Sequence, residues 1–269
     1  MFKNVRIAIL IWLAALGVAA NRLAVAGIDC SIDRNSPIVI PAHAKVDARK
    51  QAYRLPDGSI LFLGSFTIDA DGAPNAYGPD NRGLDDIANA GSPGNWYGLA
   101  TDAQDCGPTG TPLHQSTNDP APGFYVSTTS MTNPAVQDCR KQRNYVDSTS
   151  IPYVALPKAI AKLDKNRGNL VVIERLSGGS PEFAVLADGA PSYGFGEGSI
   201  ELATRLGLNS DPRRGGTSQR EIVFLEFTDR MGFPASADEV RSNSSAAFAK
   251  WGGEARLKVC RQVLSPPPR

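Results

Sequence analysis

The chain of 269 residues has only two histidines, His43 and His114, and its four cysteines include no closely spaced pair. Without a Cys-x-x-Cys pair or a His/Cys cluster there is no zinc ligand set, and no metal is expected. Neither sign of charge dominates, since 28 Lys and Arg stand against 27 Asp and Glu. The basic stripe that grips nucleic-acid phosphates is therefore missing, and nucleic acid is not an expected partner. His114 and Ser116 lie close together, but no Gly-x-Ser-x-Gly elbow accompanies them. Gly194-x-Gly196-x-Gly198 has neither the spacing nor the βαβ setting of a dinucleotide fingerprint, and no phosphate loop occurs. No cofactor is implied. Internal repeats are absent and long helical periods are scarce.

What the chain does have begins at its N-terminus. Lys3 and Arg6 precede an apolar run over 7–20, and Ala24-Val25-Ala26 offers small residues to a signal peptidase. The run falls short of the about 20 residues that a membrane span needs. A signal peptide over 1–26 with a mature start at Gly27 is expected, and a second cleavage position follows Ala20. Cys30 follows Asp29, where a lipidation cysteine would follow a small residue. Export to the periplasm or the exterior suits the even number of cysteines, which reads as two disulfides. Of the three pairings, Cys30–Cys260 and Cys106–Cys139 are favoured: one ties the chain ends together and the other closes a polar excursion. Losing Lys3, Arg6 and Arg22 with the leader leaves 25 basic residues against 27 acids, a net −2.

Residues 27–264 read as a single domain, with 265–269 a proline-rich tail. Frequent Gly and Pro point to a mainly β (α+β) class with irregular loops. A hairpin is expected over 51–68 around Pro56-Asp57-Gly58, and further strands over 123–128, 151–156, 169–175, 182–187 and 220–227. Residues 69–122 form a long polar elaboration. Helices are expected over 158–163, over 199–206 with Ser199 as N-cap and Gly207 closing it, and over 237–250. The last opens with Ser236 and Glu239 at capping-box spacing.

Between strand and helix lies the most informative stretch, residues 183–208. An apolar run delivers Asp188, a Gly/Pro-rich connection follows, and Glu197 precedes the helix. Paired carboxylates are the minimum equipment for hydrolysing a glycosidic bond. On spacing alone the two also read as a turn-opening Asp and a helix-start Glu.

The order of segments around this stretch resembles the family-75 glycoside hydrolases, the fungal-type chitosanases with bacterial relatives. The resemblance rests on Ile151-Pro-Tyr-Val-Ala-Leu-Pro157, Ala187-Asp188-Gly189-Ala-Pro191 and Gly196-Glu197-Gly198-Ser199, with Asp69-Ala-Asp71-Gly72 upstream. It runs from about Ser65 to Phe227. The chain departs from the pattern in lacking a cysteine inside Asp69–Gly72 and in reading Asp-Gly-Ala-Pro after Asp188. The elaboration over 71–123 looks more bacterial than fungal. The same block is similar to the core of double-psi β-barrels, which implies a compact six-stranded double-psi-like barrel with long loops and a few short helices.

The resemblance implies a secreted, inverting endo-hydrolase of chitosan in which Asp188 and Glu197 are the catalytic pair. An apolar strand before Asp188 favours its neutral form, and a helix N-terminus after Glu197 favours ionisation. That reads as Asp188 the acid and Glu197 the base, with the reverse assignment open. Asp69, Asp71 and Asp80 are candidates for binding sugar ammonium groups, beside the reading of ordinary Asp-rich turns. Tyr77 and Tyr193 are sugar-contacting candidates, and Trp96, Tyr97 and Tyr125 are further aromatic ones. The expected partner is a polysaccharide bound by a monomer with no lasting membrane anchor. Cleavage of peptidoglycan glycan strands and non-catalytic binding of wall polysaccharide are the competing readings.

Overall fold

The structure, a computed structural model, describes residues 30–33, 35, 37–39, 51–161, 163–190 and 195–264. The expected leader, the tail over 265–269 and Tyr193 lie outside these residues. In chain order the strands are β1 (Ile38–Val39), β2 (Gln51–Arg54), β3 (Ile60–Asp69), β4 (Gly91–Ser92), β5 (Asn95–Trp96), β6 (Tyr153–Leu156), β7 (Asn169–Arg175), β8 (Glu182–Gly189), β9 (Glu197–Ser199) and β10 (Thr217–Arg230). The α-helices are α1 (Leu163–Asn166), α2 (Ile200–Arg205), α3 (Ala237–Trp251) and α4 (Gly253–Cys260).

Six strands close on themselves in the order β3, β10, β7, β8, β6, β9 and back to β3. The pairs β3–β9 and β6–β8 are parallel and the others antiparallel. The closed six-stranded barrel expected from the chain is therefore present, and its parallel pairs separate it from a simple up-and-down barrel. Long β3 shares one edge between β2 and β9 and gives the other to β10.

Alternation builds the interior. Ile60, Phe62, Phe66 and Ile68 of β3 point inward with Ile222 and Phe224 of β10. Phe62 and Phe224 stack at 4.6 Å between ring centroids. The opposite faces are also covered: Leu61, Leu170, Val172, Val223 and Leu225 pack with Phe248 and Leu257 of α3 and α4. Burial on both faces explains the near-continuous apolar run of β10.

The expected hairpin forms as β2–β3. Ser199 Oγ accepts from Leu202 N at the start of α2, and Ser236 Oγ from Glu239 N at the start of α3. Three local expectations are corrected. Residues 123–128 make bridges, not a strand, because their backbone bonds are divided among Gly98, Ala100, Leu113 and Gln115. The helix expected over 158–163 is a turn at Pro157–Ala161 followed by α1. Glu197 belongs to strand β9, whose parallel bonds to β3 no local pattern announces.

Disulfides join Cys30 to Cys260 and Cys106 to Cys139, the favoured pairing. Among the described residues no helix is long and apolar enough to cross a membrane.

Candidate active site

The site lies on the outer face of the barrel, where the excursion between β3 and β6 folds back over β3, β9, β6 and β8. Residue pairing places the two central carboxyls. Ala155 of β6 is opposite Asp188 of β8 on one side and Glu197 of β9 on the other. Paired residues on neighbouring strands share a face, and strands lie about 4.8 Å apart, so the two backbones are separated by roughly 9.5 Å.

A bulge makes this possible. Ala184 and Leu186 face the barrel interior, and strict alternation would send Asp188 there too. The register of β6 against β8 instead slips between Val154 and Ala155, so that β8 passes over Ala187. Ala187 packs on the outside with Tyr153, Val185 and Met131. Asp188 thereby reaches the outer face beside Glu197.

Asp188 is 7 % exposed, and Ser130 N, Ser130 Oγ and Gly189 N donate to its Oδ1 at 3.0, 2.6 and 2.7 Å. Among the described residues no hydrogen bond engages Oδ2. Burial raises its carboxyl above the ordinary value, and the three donors oppose that rise. Glu197 lines the cleft. Burial, then the charges of Asp188 and Asp85, push its carboxyl up to about 7. The expected ionising field at Glu197 is thus overturned: Ser199, two residues on, caps α2, and burial dominates at Glu197.

Gly196 delivers Glu197 against β3. Its φ is +115°, and a Cβ there would stand 2.0 Å from the Ser65 carbonyl oxygen, so no other residue fits this crossing.

Asp69 and Asp71 join the same group. Burial raises both carboxyls well above the usual range, followed for Asp69 by the charges of Glu197 and Asp188 and for Asp71 by those of Asp69 and Asp188. Their turn is tied down from several sides. Asp71 N donates to Asp69 Oδ1 at 2.8 Å, and Tyr77 Oη donates to Asp71 Oδ1 at 2.7 Å. Tyr153 Oη donates to the Asp71 carbonyl at 2.8 Å, and Ser148 donates to the Asp69 carbonyl. Buried Gln142 reaches the Gly72 carbonyl at 2.8 Å.

These groups face a cleft of about 830 Å³, within the range of ligand sites. Asp69, Asp71, Tyr77 and Asp85 line it together with a loop bearing Arg213 and Arg214. Asp188, the chain neighbour of the lining residue Gly189, is not itself a lining residue. Asp80 stands apart: it is exposed, at φ 55° in a short 3-10 turn, and does not line the cleft. Of the other aromatic candidates, Tyr97 lines the cleft and is 61 % exposed. Trp96 and Tyr125 pack against the small cluster around Tyr77 and Leu99.

Ser130, Ser148, Gln142 and Tyr153 are supporting residues that carry no local signal in the chain. Ser130 is 58 positions from the carboxylate it holds. Among the described residues no group of three or more His, Cys, Asp or Glu has metal-holding geometry. Two carboxyls on one outer face, both raised above their ordinary values by burial, are the pair needed to donate one proton and accept another. No protein-family model matches the chain, and no curated protein matches it.

Proposed function

We propose that the chain is an exported glycoside hydrolase that cuts β-1,4 linkages of a glucosamine-containing glycan of the chitosan type with inversion. Glu197 is the general acid and Asp188 the general base. The observation that carries this reading is the pairing of both residues to Ala155, which sets their backbones on one face about two strand spacings apart. Inverting hydrolases need about 6.5–9.5 Å between the carboxyl groups to admit water.

In the reaction, protonated Glu197 gives its proton to the glycosidic oxygen as the bond to the anomeric carbon breaks. Water attacks that carbon from the opposite face and passes a proton to Asp188 Oδ2. Roles are assigned by surroundings. Glu197 keeps its proton to about pH 7, whereas three donors on Asp188 Oδ1 favour a carboxylate there. Asp69, Asp71 and Asp85 then meet amino groups of the bound sugars. The disulfide-linked architecture suits an oxidising compartment, periplasmic or extracellular.

The test is release of reducing ends from chitosan and from purified peptidoglycan. Asp188→Asn and Glu197→Gln are each expected to cut turnover by about 10³-fold while the fold is retained. Near-full activity in either folded variant would sink the pair, and binding without product in the parent protein would leave only a wall-polysaccharide-binding barrel.

A further inference from the structure

The cleft lining carries both signs of charge. Its carboxyls come from β3, β9 and the excursion that follows β3. One lip is the loop between α2 and β10, where Pro212, Arg213, Arg214 and Gly215 line the same space.

The two arginines are differently placed. Arg213 is spent on the protein: its guanidinium donates to the carbonyls of Asn81, Gly83, Leu84 and Asp85 at 2.7, 3.0, 3.3 and 3.1 Å. It also lies 3.3 Å from Asp86 Oδ1. Those contacts clasp the lip to residues 81–86. Arg214 is exposed, and among the described residues no hydrogen bond or ion pair engages its guanidinium.

Its backbone is nevertheless held. Arg214 N donates to the Asp211 carbonyl at 3.2 Å, Gly215 N to the same oxygen at 2.6 Å, and Gly216 N to the Asn209 carbonyl at 2.8 Å. A guanidinium offered from a fixed loop loses less entropy on binding than one on a mobile arm. A polymer of glucosamine alone brings only cations past it, and like charges in an interface are unfavourable. A glycan with both amines and carboxylates has a partner for each sign of charge in the lining.

On the glycan-hydrolase reading of this site, on which the step rests, we infer that Arg214 is a specificity-determining residue that binds a carboxylate substituent. The substrate class is then a glycan bearing both free amines and carboxylates, such as glucosamine alternating with its 3-O-lactyl ether. Arg213 sets the position of the lip, and Arg214 reads the charge.

Titration calorimetry on Glu197→Gln protein tests this with two hexasaccharides, one of glucosamine alone and one alternating with the lactyl ether. Adding Arg214→Ala is expected to weaken the carboxylated glycan about tenfold, the scale of a hydrogen bond between charged groups. The same change should tighten the all-glucosamine glycan about twofold by removing a like charge. Arg214→Lys should restore most of the discrimination. Equal losses on both glycans, or no loss on the carboxylated one, would overturn the inference and leave the hydrolase reading standing. If neither glycan binds on the Glu197→Gln or the Asp188→Asn background, the glycan reading falls and the inference with it.

Discussion

Glu197 and Asp188 occupy the same outer face, but their immediate partners differ. Glu197 is surrounded by burial and negative charge, so its acid form survives to about pH 7. As the proposed proton donor it loses function when pH rises through that value, and turnover should fall about tenfold per unit above it. A flat profile from pH 6 to 9 would remove Glu197 from that role. Away from the cleft, Glu226 shows the stability side of the same physics. It lies at one end of the barrel interior, 2 % exposed, with Asn169 donating to Oε1 at 2.8 Å and no hydrogen bond to Oε2. Burial pushes its carboxyl from 4.5 up to about 7. A folded value above the unfolded one means that stability is fully present below about pH 4.5 and lost as pH rises through 7. The loss at pH 8 is about 3 kcal/mol for this residue. Glu226→Gln should therefore raise the melting temperature at pH 8 and change it little at pH 4.5, as calorimetric scans at the two values would show.

Single elements carry the site through small irregularities. One slipped residue in β8 turns Asp188 from the barrel interior to the outer face, and three residues of β9 hold Glu197 against β3. Ser199 joins β9 to α2: its Oγ accepts from Tyr153 N at 3.0 Å and from Leu202 N at 3.1 Å. Both donors are buried, so Ser199→Ala should cost about 2 kcal/mol in chemical denaturation. The Asp69–Gly72 turn is equally exacting. Gly72 has φ +80°, and a Cβ there would stand 1.9 Å from the Val146 carbonyl oxygen. Gly72→Ala should displace Asp71 and lower both stability and glycan affinity. Unchanged affinity in the folded variant would separate this turn from the cleft.

Across the whole molecule, the closed barrel supplies rigid strands and the excursion supplies much of the cleft wall. The excursion packs around two small apolar clusters of its own, and Cys106–Cys139 staples it across 33 positions. Closing a loop of that size removes about 4 kcal/mol of unfolded-chain entropy in the simplest treatment. Replacing both cysteines by serine should lower the melting temperature clearly. Loss of glycan binding ahead of barrel melting would place the weakest cooperative unit at the cleft wall.

Some of this was legible without coordinates because it depends on neighbours along the chain. The strands over 169–175 and 182–187, the caps at Ser199 and Ser236 and the hairpin at Pro56-Asp57-Gly58 follow from alternation, side-chain acceptors and turn chemistry acting over a few residues. The cysteine pairing was one choice among three, and the site was visible as two acids near a loop. Contacts between distant segments settled the rest. Ser130 reaches Asp188 across 58 positions, β9 exists only through its bonds to β3 and β6, and Arg213 crosses about 130 positions to clasp residues 81–86. Carboxyl ionisation followed from the same closure: burying four acids together outweighs a helix end that Glu197 was expected to feel. Periodicity and capping are local energies that a short window contains. Desolvation, register slips and charge crowding arise only when the barrel closes and brings remote residues onto one face.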